Sequence, residues 1–264
     1  MGRIEQFRLG IAPLRQNPRK VWVYLPDEYD RGNRVFPVLY MFDGHNLFDD
    51  KTATYGKSWG IREYLDENHI PLVVVGADCN HTGNSRLNEY CPYPVEPKPW
   101  FGKIDSKGEI TARWFVRKLK PACEKRYRIY SDRKHVGIAG SSMGGMMSVY
   151  CIAQYNDVYS KAACISPTMD IAIDAMVGHI ESCSMSKNTR IYLDFGSQEV
   201  RSKKTFALCM DNLLRINHAF QEHNCNTFPN VVVGGTHSEA SWQTIFPLAI
   251  EYLYPELLQK DRKL

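Results

Sequence analysis

The 264 residues carry 33 basic and 29 acidic side chains, a net charge of +4, which is too mild to argue for nucleic acid or an anionic membrane as partner. No stretch approaches the ~20 apolar residues a membrane span needs, and residues 1–8 hold no apolar signal core, so the expected setting is soluble and cytoplasmic. Eight cysteines (79, 91, 123, 151, 164, 183, 209 and 225) form no Cys-x-x-Cys pair and several sit in apolar runs, as expected of a reducing compartment rather than a disulfide scaffold. The length fits one domain over 1–264 whose core needs no cross-links.

Short β-rich runs alternate with helical ones, which predicts an α/β fold with a mostly parallel sheet and helices on both faces. Strands are expected at 21–25, 37–42 and 72–77, with a helix over 60–68. The unbroken apolar run Pro71-Leu72-Val73-Val74-Val75-Gly76 suits a central strand covered on both faces. The alternation then lapses over 79–108, where Pro92, Pro94, Pro97 and Pro99 interleave with Tyr93 and Trp100. Nearly thirty residues without periodicity point to a functional loop. Because it leaves a strand, it should lie at the carboxyl edge of the sheet, where open α/β folds bind ligands. A helix is expected over 111–123. It opens the one local basic excess, 113–134, with nine Lys or Arg against Glu124 and Asp132, which reads as a solvated helix face and loop. Strands follow at 135–139, 161–165, 190–195 and 230–233, with helices over 142–154, 203–223 and 242–258. In 203–223, Phe206, Met210, Leu213, Ile216 and Phe220 recur at three and four residues and form one core-facing stripe.

The passage richest in chemistry is Gly140-Ser141-Ser142-Met143-Gly144-Gly145, at a strand-to-helix switch. It resembles the nucleophile elbow of α/β-hydrolases, a turn so tight that the central residue is strained and its neighbours must lack side chains. Only Ser142 has glycine at both −2 and +2; the turn lifts its hydroxyl off the sheet and aims the Met143 amide at the same spot. A serine needs a base to take its proton, and the base needs a carboxylate to hold its tautomer. On this fold the chain order is serine, acid, histidine. Among eight histidines, His237 is placed for the task, after the last strand and behind Gly234-Gly235. For the acid, Glu199 in the loop past the 190–195 strand is preferred over Asp194 within it, with Asp170 third. A second oxyanion donor is expected where Gly44 turns the backbone amide of His45 into the pocket. No His-x-x-x-His or His-Glu-x-x-His spacing and no Gly-rich phosphate loop appears, and His218 and His223 read as solvated helix surface, so no metal or cofactor is expected.

Over about residues 20 to 255 the chain is similar to the esterase branch of the α/β-hydrolases that includes esterase D, enterochelin, feruloyl and acetylxylan esterases, and the mycolyltransferase antigens. The likeness rests on Leu39-Tyr40-Met41-Phe42-Asp43-Gly44, Arg86-x-x-Glu89-Tyr90-x-Pro92 and the glycine-flanked serines. It rests further on Ser166-Pro167, Gly196-Ser197-Gln198-Glu199 and His237-Ser238-x-x-x-Trp242. The resemblance implies an α/β-hydrolase fold without a large lid domain. It implies Ser142 as nucleophile, Glu199 as acid, His237 as base, and the amides of His45 and Met143 as oxyanion donors. Arg86, Glu89, Tyr90 and Trp242 are candidates for the substrate wall; for the stretch from Arg86 to Tyr90, an ion pair pinning the proline-rich loop is the competing account. Relatives that hydrolyse S-formylglutathione carry His-Gly-x-Thr-Cys where this chain has Asp43-Gly44-His45-Asn46, which weakens that assignment.

The expected activity is therefore a cofactor-free serine carboxylesterase acting on a small-molecule ester, with a short-chain or carbohydrate-linked acyl group. An acyltransferase on the same triad and a catalytically silent binding protein stay open beside it, because a fold does not fix a function.

Overall fold

In the computed structural model every residue is described except 13, 15–17, 98–101 and 259–264, so Pro99 and Trp100 of the expected loop lie outside the described residues. The β-branched and apolar runs form eight strands: β1 (Arg3–Leu9), β2 (Arg19–Leu25), β3 (Val38–Met41), β4 (Val73–Ala77), β5 (Val136–Ser141), β6 (Lys161–Ile165), β7 (Arg190–Gly196) and β8 (Asn226–Val232). Their order in the sheet is β1-β2-β4-β3-β5-β6-β7-β8. The β1–β2 and β2–β4 pairs are antiparallel and the remaining pairs parallel.

The helices are α1 (Ile61–Glu67), α2 (Ser85–Glu89), α3 (Gly108–Trp114), α4 (Lys120–Arg126), α5 (Met143–Gln154), α6 (Ile173–Ser182), α7 (Lys203–Glu222), α8 (Glu239–Leu253) and α9 (Pro255–Leu258). Side chains alternate across the strands and divide the core into two layers. Val38, Tyr40, Val73, Val75, Ile138 and Leu193 face one way, onto α3–α7. Leu39, Met41, Val74, Ala139 and Tyr192 face the other way, onto Ile61 and Leu65 of α1 and Trp242 to Leu253 of α8. This is the α/β-hydrolase fold. No helix among the described residues is long and apolar enough to cross a membrane.

Several boundaries differ from the sequence expectation, each for a local reason. β8 begins at Asn226, not 230, because Pro229 lies inside a strand paired only with β7, and an edge strand tolerates a residue without an N–H. β1, the other edge, was not expected: its mixed charged and apolar residues are only partly buried. Ile173–Ser182 was also not expected as a helix, although Ile173, Met176, Val177 and Ile180 carry helical spacing. The expected helix over 111–123 runs as α3, a π-helical turn (Phe115–Leu119) and α4. Pro121 cannot donate to the carbonyl four residues back, and the ladder widens just before it. The irregular 79–108 stretch contains α2, and the last expected helix breaks before Pro255 into α8 and α9.

What matters for chemistry is the carboxyl rim of the parallel strands. The chain leaves β3 into Asp43–Asn46, β4 into Asp78–His81, β5 into Ser142, β6 into Ser166–Thr168, β7 into Glu199 and β8 into His237. Six consecutive crossings therefore deliver polar side chains to one edge, as an open parallel sheet does.

Candidate active site

Ser142 sits between β5 and α5 with φ 58° and ψ −123°, a conformation L-residues rarely adopt. The turn closes because its neighbours lack side chains. A Cβ on Gly140 would come within 2.7 Å of the Gly144 backbone, and one on Gly145 within 2.7 Å of the Ile165 carbonyl. Ser142 N–H donates to Ile165 O at 3.0 Å, which ties the turn to β6. Met143 is the first residue of α5, and the first amides of a helix have no carbonyl in the preceding turn to bond. The Met143 N–H is thus a free donor beside the serine, with the helix dipole behind it. The Ser142 hydroxyl lies 3.5 Å from Thr168 Oγ1.

Glu199 is held from three sides. Its Oε1 accepts the Gly196 N–H at 2.7 Å and the Ser166 hydroxyl at 2.6 Å, and its Oε2 lies 2.7 Å from His237 Nδ1. The Glu199 side chain is 2% exposed and that of His237 42%, so a buried carboxylate orients an imidazole that opens to the cavity. Trp242 stands edge-on to the His237 ring, centroids 5.1 Å apart, and donates its Nε1–H to Ser166 Oγ at 3.1 Å. Between the two carboxylates weighed from sequence, His237 meets Glu199 and not Asp194. Asp194 is buried, accepts the Ser166 N–H at 2.7 Å, and burial pushes its carboxyl up to about 7. Asp170 is exposed on the rim of two neighbouring cavities.

The opposite wall begins at Asp43, in the left-handed region at φ 55°, which caps a short 3-10 turn, Gly44–Asn46. The His45 amide is in the first turn of this helix and, like that of Met143, has no carbonyl a turn earlier to bond. Arg86 from α2 grips the Asp43 carboxylate with two parallel bonds, Nε to Oδ1 and Nη2 to Oδ2, each 2.7 Å. Burial works against its charge, but the Asp43 carboxylate outweighs it and raises the guanidinium pKa.

Ser142, His237, His45, Arg86 and Trp242 line one cavity of about 350 Å³, together with Asp43, Cys79, His81 and Glu239. A second cavity of about 330 Å³ opens beyond His237, against Pro167, Met169, Phe195, Val200 and Leu208. A third, of about 210 Å³, lies beside Ser142 and Met143 against Leu87, Ile104 and Ile171. Of the four candidates for the substrate wall, Arg86 and Trp242 face these cavities, and Glu89 and Tyr90 do not. Glu89 is 2% exposed, paired with Arg19 of β2, and accepts the Asn80 N–H at 3.1 Å. Burial raises its pKa, with Arg19 opposing. Tyr90 is buried against Phe42, and its hydroxyl oxygen accepts the Asp43 N–H at 3.2 Å. Both residues anchor the segment after β4; Tyr90 reaches the site through Asp43 and Glu89 through Asn80. The ion pair that pins this segment runs through Glu89.

Sequence reading missed one cluster. His45, Asp78, Cys79 and His81 bring one ligand-capable atom each to within 4.8 Å of one another. Asp78-Cys79-Asn80-His81 directly after a buried strand was a local signal; His45 arrives from another crossing and has no fixed spacing to them.

Comparison with known proteins gives the family. A family profile described as "Putative esterase" matches residues 14–253, most of the chain. The chain belongs to this family. It is a carboxylic ester hydrolase, and the silent binding protein is set aside. It is 24% identical over 242 residues to the uncharacterized protein YbbA of Bacillus subtilis (strain 168), covering 89% of this chain and 92% of that one. Among solved structures it is similar to a ferulic acid esterase, with a TM-score of 0.69 and 17% identity over 98% of this chain and 97% of that chain. It is also similar to the enterobactin and salmochelin hydrolase IroE, with a TM-score of 0.66 and 16% identity over 97% and 94% of the two chains. At these identities the structural likeness establishes the fold.

Proposed function

We propose that this esterase works by acyl transfer through Ser142, with His237 as general base and Glu199 as its orienting acid. The Ser142 oxygen attacks the ester carbonyl while His237 Nε2 takes its proton. The tetrahedral oxyanion forms against the amides of His45 and Met143. The imidazolium then protonates the leaving alcohol, water attacks the acyl-enzyme with its proton going to the same nitrogen, and the acid departs with the serine restored. The observation that carries this reading is the 2.7 Å contact from His237 Nδ1 to a carboxylate whose other oxygen is already held by two donors. Such a carboxylate fixes the ring with its proton on Nδ1 and leaves Nε2 basic. Ser142 and His237 line one cavity, and the transfer requires the hydroxyl to turn from Thr168 toward Nε2.

The substrate class follows from the space on either side of the serine. The cavity of about 210 Å³ with Leu87, Ile104 and Ile171 suits a compact acyl group, and the polar cavity of about 350 Å³ suits a hydroxyl-rich alcohol. The reading is thus hydrolysis of a short-chain or carbohydrate-linked acyl ester, in line with the esters implied by the names of the ferulic acid esterase and IroE. Ser142→Ala should reduce hydrolysis of p-nitrophenyl acetate by ~10³-fold or more with an unchanged melting temperature, and should lose labelling by a fluorophosphonate probe. Near-parental turnover by that variant refutes the mechanism.

A further inference from the structure

The wall of the cavity facing Glu199 contains an unbalanced hydrogen-bond chain. Asn46 Nδ2 donates to Glu239 Oε1 at 3.1 Å, which turns Asn46 Oδ1 toward Thr54. Thr54 donates its N–H to that oxygen at 2.9 Å and its hydroxyl at 3.2 Å. When that proton stays on Asn46, Thr54 Oγ1 is an acceptor for His45 Nε2–H at 2.9 Å; turned to His45 instead, it leaves Nδ1–H to donate to Asp78. A neutral imidazole protonated at Nε2 presents only a lone pair at Nδ1. That Nδ1 is buried and lies 2.9 Å from Asp78 Oδ1, an oxygen that also accepts the Cys79 N–H at 3.0 Å. A lone pair facing a carboxylate oxygen at this distance is repulsive unless a cation bridges them. The same Asp78 oxygen lies 2.9 Å from His81 Nε2, and Cys79, 4% exposed, adds a sulfur to the group.

We propose that His45 Nδ1, Asp78, Cys79 Sγ and His81 Nε2 form a binding site for one divalent transition-metal ion of the zinc class. Two nitrogens, an oxygen and a sulfur are the mixed donor set that such ions take in tetrahedral sites. Ligand bonds of about 2.0–2.3 Å set the four atoms roughly 3.3–3.7 Å apart, so the widest pairs must close and the two 2.9 Å contacts on Asp78 must open, a small rearrangement of the present cluster. His81, with its side chain 55% exposed, is free to supply it. The bond from Thr54 to His45 Nε2–H is the outer contact that orients a metal-ligating imidazole. On binding, the Cys79 S–H bond breaks, its proton passes to solvent and the sulfur bonds the ion; thiolate and carboxylate together balance the double charge. The ion would lock the ring of His45, in the same turn as the proposed oxyanion amide. The site does not depend on the triad, and its test reads metal rather than ester.

The test uses the full chain stripped with a chelator and titrated with Zn²⁺ and Co²⁺. One equivalent should bind, and the Co²⁺ form should show thiolate-to-cobalt charge-transfer absorption. Cys79→Ser should lose that absorption. His81→Ala, at an exposed position that leaves the fold intact, should bind at least about tenfold more weakly. His218→Ala, on the exposed face of α7, should bind as the parent does. Absence of a stoichiometric ion, a cobalt form without sulfur character, or equal binding by the His81 and His218 variants overturns the proposal; in the first case a proton is the cation between His45 and Asp78.

Discussion

The two walls of the central cavity balance buried charge differently. Along the loops after β6, β7 and β8, Glu199 receives a hydroxyl, a backbone amide and an imidazole, and Ser166 passes the pattern on to Trp242, so donors and acceptors match. Along the loops after β3 and β4, two imidazoles and the Cys79 amide converge on one oxygen of Asp78. A matched network sets one orientation and keeps it. A carboxylate oxygen on which so many nitrogens crowd is where the proposed ion would bind.

The largest effect that tests this contrast is at the matched wall. Glu199→Gln keeps the shape but offers the wrong group to His237 Nδ1–H, so kcat should fall on the order of 10³–10⁴-fold. Asp194→Asn, within β7 itself and out of contact with His237, should leave kcat within a few-fold at pH 7. A reversed ranking in steady-state kinetics would return the acid role to Asp194.

The layered sheet and the matched wall were legible from sequence because each rests on local pattern. Apolar runs mark the parallel strands, and the glycine-flanked serine, Glu199 past β7 and His237 past β8, which carry the proposed mechanism, stand in a fixed chain order. The choice of Glu199 over Asp194 was a statement about which residue lies beyond the strand end, and the strand ends at Gly196. What was not legible depends on three-dimensional company. The Arg19–Glu89 pair joins residues 70 positions apart, and the cluster around Asp78 needs His45 from a neighbouring crossing. Edge strand β1 carried no signal and edge strand β8 only that of its later residues, because their partly buried side chains do not alternate cleanly between apolar and polar.

The Glu89 pair gives the next effect. Arg19 and Glu89 side chains are 6% and 2% exposed, and removing one charge of a buried pair costs about 3–5 kcal/mol. Glu89→Gln keeps part of the hydrogen bonding and should cost about 3 kcal/mol, read as a melting temperature lower by several degrees, with KM within about twofold of the parent. A raised KM at unchanged stability would make Glu89 a substrate contact after all.

Asp194 supplies a pH signature of intermediate size. Its carboxyl titrates near 7 when folded and near 3.9 when unfolded, so in that window the folded chain holds the proton more tightly. Stability from this group is therefore fully present below about pH 4 and is lost as pH rises to about 7. Asp194→Asn does not titrate, so its melting temperature should gain on the parent between pH 5 and pH 8, by about 2–4 °C for each ~1 kcal/mol. Parallel melting curves across that range would show that the buried carboxyl is already ionised.

The smallest effect concerns Ser166, which stands at φ 42° and connects Glu199 of the matched wall to the buried Asp194. Ser166→Ala removes the hydroxyl but keeps the backbone strain, whereas Ser166→Gly removes the hydroxyl and relieves the strain. Glu199 retains the Gly196 amide and His237 in both, so kcat should fall only about tenfold with KM unchanged, equally in the two variants. Stability should separate them: the glycine variant should exceed the alanine variant by about 1 kcal/mol, the usual cost of a side chain in this region. If the two variants instead differ in kcat and agree in stability, the strained backbone rather than the hydroxyl positions Glu199, and the matched wall is held by conformation instead of by its hydrogen bonds.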